Sequence, residues 1–390
     1  MRHERGTGNE SVISAISQLG PYRVDEKIGA GGMATVYRAA RGPEGAEARV
    51  ALKVLHPDLA KEPEHLEMFL AEGELAKLMI HAVLVPVRDT GNADGTYYMA
   101  MDLLEGLTLS ELRRHYRSRN QTVPRGHAMW ILAQVLDGLH FAHSLTHGDG
   151  TFANVVHRDL SPRNIFITNR GQVRLMDFGI ARSIVRQGHT RAGIVKGTIP
   201  YMAPEQARAE NVDRRADIFA AGVLLHELIT GKPPIKPEEA EEQRRALAAM
   251  DIHIDRKRIH LKLRPVLQRA LANRPDDRYE NAAEFAADIR QVLTEIEPHH
   301  DPTLLGAMSG RTSTRRDSRP SEAARRERKS QISRAPREVN RHRTGHHAAV
   351  TRKAELPEWN AEWDGAQTLA LVASLVFLLA LCHTFITGLN

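Results

Sequence analysis

A glycine-rich stretch near the amino terminus has the composition of a phosphate-binding turn. Residues 28–37 read IGAGGMATVY, and the final Val36-Tyr37 pair suits a returning strand. A β-hairpin whose tip lacks side chains lets backbone N–H groups approach a polyphosphate. The stretch is not a Walker loop, because no Gly-Lys-Ser/Thr follows, and Ala34 occupies the last glycine position of a GxGxxG pattern. An ordinary glycine-rich turn is the alternative interpretation.

A lysine and a carboxylate that could hold it follow this stretch. Lys53 ends the apolar strand pattern Val-Ala-Leu-Lys. After a glycine-rich hairpin, such a lysine is a candidate ligand of the α- and β-phosphates of a nucleotide; otherwise it is a solvated surface charge. The predicted helix over residues 64–78 offers Glu72 and Glu74 as partners. We favour Glu72 because it stands nine residues before His81, the expected helix-to-strand spacing, and Glu74 then remains a solvated helix charge.

The most informative block of the sequence begins at His157 with HRDLSPRN. It continues with Asp-Phe-Gly from Asp177, Gly-Thr from Gly197 and Ala-Pro-Glu from Ala203. With the glycine-rich stretch and the VALK strand, these motifs follow one another in the order known from protein kinases. Over roughly residues 22–296 the chain therefore resembles the protein kinases, in particular the bacterial Ser/Thr kinases that are eukaryotic-like in fold.

This resemblance implies a fold and a set of catalytic roles. The fold would be a two-lobed α+β structure, with a small antiparallel-sheet lobe over about residues 22–105, a mainly helical lobe over about 106–296, and ATP in the cleft between them. Asp159 would accept or orient the proton of the substrate hydroxyl. The phosphates and Mg²⁺ would be held by Lys53 with Glu72 and by Asn164 with Asp177.

The resemblance also implies a nucleotide pocket. Met101 fits the gatekeeper position behind the adenine, and residues 102–106 would form the hinge that hydrogen-bonds the base. The implied ATP-binding residues are Ile28, Gly29, Ala30, Gly31, Gly32, Met33, Ala34, Thr35, Val36, Ala51, Lys53, Met101, Asp102, Leu104 and Phe166.

Regulation is implied by an arginine before the catalytic aspartate. In the resembling family, the arginine at the position of Arg158 is associated with activation by phosphorylation of a loop. That loop would run from Asp177 to Glu205. Within it, Thr190 is the preferred autophosphorylation site, and Thr198 is either a structural threonine or a second phosphosite.

Three more residues take architectural roles under the same resemblance. Glu205 of the Ala-Pro-Glu triplet should form a buried ion pair with Arg278. Asp217, in the sequence DIFAAG, resembles the aspartate that holds the backbone of the catalytic loop. Apolar runs at 219–228 and 263–271 predict helices of the larger lobe, and the last helical pattern runs from Ala282 to Ile296.

One departure from the family pattern leaves a second hypothesis open. Ser161 stands where family members usually carry a lysine that contacts the transferring phosphate, and Arg163 is a candidate substitute. A pseudokinase, which would bind nucleotide and recruit partners as a scaffold, is therefore the alternative to an active enzyme. The presence of the other catalytic groups favours activity, and Pro162 favours serine or threonine over tyrosine as acceptor.

Charge and cysteine content exclude several classes of protein. The 390-residue chain has a net charge of +6, but residues 311–353 carry fourteen basic and four acidic residues, so the remainder holds 40 basic and 44 acidic residues. The basicity thus belongs to one segment and does not indicate a nucleic-acid-binding domain. The single cysteine, Cys382, excludes an internal disulfide framework and a cysteine-based zinc site.

The two ends of the chain differ from its centre. Residues 1–21 are predicted to be flexible and show no signal peptide, and residues 297–358 are rich in arginine, serine and threonine and are predicted to be a disordered linker. Residues 366–389 contain no charged side chain and are long enough to cross a bilayer as one helix, with Trp359 and Trp363 at the interface. A buried helix of the globular domain is the alternative.

The position of the basic linker predicts a location. Positive-inside bias places the kinase-like region in the cytoplasm, so we expect a single-pass protein of the cell membrane. The linker arginines could also attract anionic lipids, or form no more than a solvated tether. A homodimer formed in the membrane plane is a further hypothesis.

Overall fold

The structure is a computed structural model of the chain, and it describes residues 17–43, 47–146, 151–178, 199–235, 245, 247, 249 and 252–309. Within these ranges, no helix has both the length and the apolar character needed to cross a membrane. Residues 1–16 of the predicted flexible segment, the predicted membrane span at 366–389 and the linker from residue 310 onward lie outside the described residues. The prediction of flexibility over residues 1–21 is wrong at its end, because Gln18–Leu19 form a strand and Leu19 is buried.

The amino-terminal lobe is built on a six-stranded antiparallel sheet. The strands are β1 (Gln18–Leu19), β2 (Tyr22–Ala30), β3 (Ala34–Arg41), β4 (Ala48–Leu55), β5 (Val87–Ala93) and β6 (Thr96–Asp102). Their order across the sheet is β1-β2-β3-β4-β6-β5. Alternating side chains of β3, β4 and β6 are buried on one face, which explains why these segments of small and β-branched residues form strands.

Two helices connect β4 to β5. Helix α1 is a single turn (Pro57–Ala60), and α2 runs from Pro63 to Leu78, in agreement with the predicted helix over 64–78. Proline at the start of each helix fits the fixed φ of that residue. Phe69 of α2 packs with Leu55 and Met99, so the helix lies against the sheet and brings Glu72 to Lys53 of β4.

The larger lobe is organised around two long helices. Its helices are α3 (Leu109–Arg117), α4 (Arg125–His143), α5 (Pro204–Ala207), α6 (Arg215–Thr230), α7 (Leu263–Ala270) and α8 (Ala282–Ile296). Every residue of α6 from Ala216 to Thr230 is buried, so this helix forms the centre of the lobe. It ends at Gly231, whose φ of 82° is a left-handed C-cap that glycine adopts without strain.

A small three-stranded sheet lies at the start of the larger lobe. Its strands β7 (Gly106–Thr108), β8 (Ile165–Thr168) and β9 (Val173–Leu175) are antiparallel in the order β7-β8-β9. The predicted catalytic residues flank these strands, since Asp159 and Asn164 precede β8 and Asp177 follows β9. This hairpin therefore brings the two halves of the motif block together. The expected two-lobed α+β architecture is confirmed.

The prediction that disorder begins directly after residue 296 is wrong for the first residues of the linker. Residues 297–309, here called the C-terminal strap, are ordered and include a short helix over 304–309. Leu305 and Ser309 of the strap are each 1% exposed, and the hydroxyl of Ser309 donates a hydrogen bond to the carbonyl of Ile167. Burial of these side chains outweighs the polar composition of the linker as a whole.

Candidate active site

Lys53 lies between two carboxylates contributed by different parts of the chain. Its Nζ atom is 2.7 Å from Oε1 of Glu72 and 3.1 Å from Oδ1 of Asp177. Burial by itself would lower the pKa of Lys53, but the two carboxylates raise it above its ordinary value. The positive charge of Lys53 in turn lowers the pKa of Asp177, whereas burial raises the pKa of Glu72.

The register of the sheet explains how Lys53 reaches this position. Lys53 pairs with Val36 on β3 and with Met99 on β6, so it occupies the middle of the sheet beside the glycine-rich turn. Glu72 comes from α2, which packs on the same side. Glu74, the other helix candidate, forms an ion pair with Lys77 and is mostly exposed. Of the two carboxylates left open by the sequence, Glu72 is the one that contacts Lys53.

Asp159 and Asn164 are joined by hydrogen bonds within one loop. The Nδ2 group of Asn164 donates to the main-chain oxygen of Asp159 at 2.9 Å and to its Oδ2 atom at 3.3 Å. The carbonyl of Asn164 accepts from the N–H of Met176, the residue before Asp177, at 2.9 Å. The loop that carries Asp159 is therefore hydrogen-bonded to the segment that carries Asp177.

Asp217 holds the backbone of this loop. Its carboxylate accepts hydrogen bonds from the N–H groups of His157 at 2.7 Å and Arg158 at 2.9 Å, and it lies 2.8 Å from Nε2 of His143. Although burial acts to raise the pKa of Asp217, these partners hold it below its ordinary value. Arg158 has a φ of 62°, a left-handed conformation that costs about 1–3 kcal/mol in a residue with a side chain. The contacts to Asp217 offset this strain.

The glycine-rich turn connects β2 and β3 directly. The N–H of Gly31 donates to the carbonyl of Ala34 at 2.9 Å, and Gly29 pairs with Val36 across the hairpin. A β-carbon placed on Gly32 would meet no atom within 4 Å. Glycine is therefore not required at this position by crowding within the protein, and its effect is to leave the face of the turn open to a ligand.

The predicted gatekeeper and hinge follow at the end of β6. Met101 pairs with Ala51 on β4 and lines a cavity of about 30 Å³ together with Glu72 and Asp177. The N–H of Asp102 donates to the carbonyl of Pro86, and its carboxylate is bound by Arg88 at 2.6 Å and 3.0 Å. Residues 103–105, which include the predicted Leu104, connect β6 to β7 without regular secondary structure.

The remaining predicted nucleotide contacts lie on the same strands. Phe166 is in β8, opposite Thr108 of β7 and Arg174 of β9, on the carboxyl-terminal side of the cleft. The other predicted contacts belong to the hairpin of β2 and β3 and are Ile28, Ala30, Met33, Ala34 and Thr35. The roles assigned to these residues remain predictions.

Asn164 and Asp177 have the donor chemistry that a divalent metal requires. Both can present an oxygen, and the amide nitrogen of Asn164 is already used by Asp159, which leaves its oxygen for a ligand. Among the described residues, no group of three or more histidine, cysteine or acidic side chains could hold a metal ion. Two protein oxygens completed by nucleotide phosphates are the ligand set that Mg²⁺ commonly takes, so these residues fit the metal that the resemblance implies.

Ser161 is buried at the position where a lysine was expected. It is 1% exposed, and its hydroxyl has no hydrogen-bond partner among the described residues. A short neutral side chain enclosed in this way supplies no charge to a phosphate. Arg163, the candidate substitute, is exposed.

Glu205 and Arg278 form a buried, doubly hydrogen-bonded ion pair. The two N–O distances are 2.7 Å and 2.8 Å, and the side chains are 3% and 0% exposed. Arg278 also donates to three main-chain carbonyls. The pair therefore links the end of the predicted activation loop to the loop between α7 and α8. The predicted phosphosites Thr190 and Thr198 lie outside the described residues.

One polar network near the site was missed by sequence reasoning. The buried carboxylate of Glu227, on α6, contacts the guanidinium of Arg113 from α3 and the hydroxyl of Tyr201. Arg113 also donates to the hydroxyl of Tyr201 at 3.2 Å. No local pattern joins three residues that are so far apart in the chain. A glutamate within an apolar helix does, however, predict a polar partner, because a buried carboxylate without one is unfavourable.

Comparison with known families supports the resemblance. Residues 22–296 match the family described as "Protein kinase domain". A solved structure of the Mycobacterium tuberculosis PknI kinase domain, a double mutant, superposes with a TM-score of 0.51 and 29% sequence identity and covers 71% of this chain and 97% of that chain.

The region matched in curated relatives covers less than half of each relative's length. The chain is 38% identical over 300 residues to the tyrosine-protein kinase MasK of Myxococcus xanthus, which covers 76% of this chain and 46% of that protein. It is 35% identical over 299 residues to the serine/threonine-protein kinase PknB of Mycolicibacterium smegmatis, which covers 73% of this chain and 45% of that protein. The chain thus spans about half the length of the curated relatives it matches.

Proposed function

This chain belongs to the protein kinase family, and on that premise we propose that it transfers the γ-phosphate of ATP to serine and threonine hydroxyls of proteins, using Mg²⁺, while tethered to a membrane. The observation that carries the proposal is the placement of Lys53 between Glu72 and Asp177. In family members this arrangement must be in place before the phosphates of ATP can be held for transfer.

The catalytic contribution of the chain is positioning and charge rather than covalent chemistry. Lys53, whose ammonium group is held by Glu72, binds the α- and β-phosphates. Asp159 orients the acceptor hydroxyl and receives its proton, and Asn164 fixes the Asp159 carboxylate through its amide nitrogen. Asn164 and Asp177 would hold Mg²⁺, which would supply positive charge to offset the negative charge of the phosphates. Asp217 keeps the whole loop in its strained conformation.

The lack of a lysine at Ser161 sets a limit on the rate. One cationic contact to the transferring phosphate contributes about 3 kcal/mol in comparable sites. We therefore propose an active but modest enzyme rather than the nucleotide-binding scaffold that the same departure would also permit. The presence of Lys53, Asp159, Asn164 and Asp177 supports activity.

Serine and threonine are favoured as acceptors by two observations. Pro162 follows the catalytic loop in the manner of serine/threonine kinases, and PknB relatives carry that specificity in their names. Tyrosine is the second candidate, because the relative with 38% identity is named a tyrosine-protein kinase. Acid hydrolysis of the labelled product, followed by separation of phosphoserine, phosphothreonine and phosphotyrosine, decides between them.

The test of activity uses the full chain in a mild detergent. It is incubated with γ-labelled ATP, Mg²⁺ and a generic protein substrate, beside an Asp159→Asn control. We expect label in the protein substrate for the parent and none for the control. Absence of transfer by the parent, with ATP binding retained, would favour the scaffold.

Loop phosphorylation is the proposed means of activation. Arg158 supplies a guanidinium beside the catalytic loop, and a phosphate of charge about −1.5 to −2 on Thr190 would pair with it and order the loop. We expect Thr190→Ala to lower turnover several-fold. Thr198→Ala is the companion variant for the second candidate. Equal turnover of Thr190→Ala and the parent would remove Thr190 from this role.

The proposed location rests on sequence alone. Residues 366–389 form the membrane span, the kinase domain is cytoplasmic, and the basic linker is drawn to anionic lipids. Extraction of cell membranes at alkaline pH should leave the full chain in the pellet and release a chain truncated after residue 358. A homodimer in the membrane would appear as cross-linking that depends on the span. Equal recovery of both chains in the supernatant would contradict the anchor.

A further inference from the structure

A cavity on the larger lobe carries an excess of positive charge. It has a volume of about 210 Å³ and is lined by α3, by the loop that follows it and by the end of α6. Three arginines of α3 line it, namely Arg113, Arg114 and Arg117, and among the described residues Glu227 is the only acidic one that lines it. We call this cavity the arginine pocket.

The charges of the arginine pocket do not cancel. Glu227 is paired with Arg113 and accepts a hydrogen bond from Tyr201, so its carboxylate is occupied. Burial raises the pKa of Glu227 despite these partners. Arg114 and Arg117 are exposed, and neither forms an ion pair within the part of the chain that the structure describes. Among its described lining residues, the pocket therefore presents three guanidinium groups to one carboxylate, and the charge of Arg117 acts on that carboxylate without forming an ion pair.

The arginine pocket also lies close to the site of phosphate transfer. The N–H of Ser110, which lines the pocket, donates to the carbonyl of Pro162 at 2.9 Å. Pro162 follows Asp159 by three residues, a span of at most about 11 Å for extended chain. On its other side, Arg113 contacts Tyr201, which lies just before the Ala-Pro-Glu triplet. A substrate segment bound at Asp159 must therefore pass near the pocket.

We propose that the arginine pocket binds an anionic side chain of the protein substrate, within about six residues of the acceptor hydroxyl. This inference rests on the proposed kinase function and adds a substrate class to it. The planar guanidinium fork matches carboxylate and phosphate groups with two parallel hydrogen bonds. Glutamate, aspartate and a phosphorylated serine share this chemistry. A basic side chain is disfavoured, because the one carboxylate of the pocket is already neutralised by Arg113.

The test measures phosphorylation of short peptides by the full chain in a mild detergent. Each peptide has one acceptor serine and one glutamate, which is moved through about six positions on either side, and its matched partner has glutamine instead. We expect one position, or two adjacent ones, at which glutamate lowers KM by about tenfold with kcat unchanged. A phosphoserine arm at that position separates a preference for phosphate from one for carboxylate, and either preference supports the pocket.

Variants connect the preference to the two arginines. The double variant Arg114→Gln/Arg117→Gln should lose the preference for the acidic peptide and keep the KM of the glutamine peptide. Arg119→Gln is the matched control, because Arg119 is exposed nearby, bonds to the main chain of His115 and does not line the pocket. Equal KM for glutamate and glutamine peptides at every position would overturn the inference, as would a preference that survives in the double variant.

A binding measurement separates this inference from the proposed function. The Asp159→Asn chain cannot turn over, so its affinity for fluorescent glutamate and glutamine peptides is read by anisotropy. Tighter binding of the glutamate peptide, abolished in the double variant, supports the pocket even if no transfer is ever seen. Absence of transfer by the parent contradicts the kinase function alone, and equal affinities for the two peptides contradict the pocket alone.

Discussion

Lys53 and Glu72 form an ion pair that joins strand β4 to helix α2, with 2.7 Å between Nζ and Oε1. The two side chains are only 14% and 12% exposed, so water screens their attraction weakly. Because Lys53 also contacts Asp177 at 3.1 Å, the pair connects the amino-terminal lobe to the segment after β9. We expect the proposed nucleotide site to depend on this connection.

We expect the loss of either partner to reduce phosphate transfer. Lys53→Met should abolish measurable turnover, and Glu72→Gln should lower kcat/KM for ATP by about tenfold or more, equivalent to about 1.4 kcal/mol. The matched control is Glu74→Gln, whose side chain is exposed and pairs with Lys77. Steady-state kinetics at varied ATP concentration measure the effect. If Glu74→Gln impaired turnover as much as Glu72→Gln, the helix assignment would be wrong.

The fold and the contact between Lys53 and Glu72 could be predicted because their signals are local. The helix over 282–296 was bounded by its apolar period and by Pro298, and its observed limits are Ala282 and Ile296. The glycine-rich turn, Lys53 and the loop around Asp159 were identified from short motifs whose order along the chain is diagnostic. The sequence could also propose Glu72 over Glu74 from spacing, which the contact with Lys53 supports.

The features that escaped prediction depend on contacts between distant segments. The C-terminal strap has two leucines, Met308 and Gly306, but its charged and polar surroundings masked them when composition was averaged over the linker. A β-carbon on Gly306 would lie 2.8 Å from the nitrogen of Gly171, so this glycine permits a close approach of two backbones that no local pattern announces. The arginine pocket likewise joins α3 to the far end of α6.

The C-terminal strap should contribute to the stability of the kinase domain. Leu305 is 1% exposed and packs into the core of the larger lobe, whereas its neighbour Leu304 is 54% exposed. Leu305→Ala should lower the free energy of unfolding by about 2–5 kcal/mol. Leu304→Ala should change it by less than about 0.5 kcal/mol. Urea denaturation of the full chains compares the two. Similar small losses for both variants would mean that the strap does not pack as described.

Replacing one partner of the buried ion pair between Glu205 and Arg278 should lower the free energy of unfolding. Arg278→Ala leaves the Glu205 carboxylate buried without its partner and should lower the free energy of unfolding by about 3–5 kcal/mol. Arg274→Ala is the control, since Arg274 is 74% exposed and its ion pair with Asp276 is solvated. Thermal or urea unfolding measures both variants.

A double variant separates the charge effect from the loss of packing. Glu205→Leu/Arg278→Met removes both charges. Its destabilisation should therefore be smaller than the sum of the destabilisations caused by Glu205→Leu alone and by Arg278→Met alone. Additive losses would show that Glu205 and Arg278 do not depend on each other for stability, in conflict with their two short hydrogen bonds.

We expect two histidines to make the attachment of the C-terminal strap sensitive to pH. The Nδ1 atoms of His127, on α4, and His300, on the strap, are 3.3 Å apart, and Gly126 leaves the space for this approach. Burial lowers the pKa of both rings, although Glu297 and Asp301 act in the opposite direction on His300. The Nε2 atom of His300 is buried and has no hydrogen-bond partner among the described residues. Protonation therefore places charge where it is poorly solvated.

The direction of the pH dependence follows from the lowered pKa values of His127 and His300. The unfolded chain takes up protons near the ordinary histidine pKa of about 6.5, before the folded protein does. The stabilising contribution of the pair is thus complete above pH about 6.5 and decreases as the pH falls, by at most about 1.4 kcal/mol per pH unit for each proton.

His300→Asn should flatten the fall in the free energy of unfolding between pH about 7.5 and 5 relative to the parent, whereas His299→Asn, which alters an exposed neighbour, should follow the parent. Because His226 is also buried with a lowered pKa, it contributes to the parent curve, and only the difference between variants reports the pair. Parallel curves for His300→Asn and the parent would show that protonation of this pair does not loosen the strap.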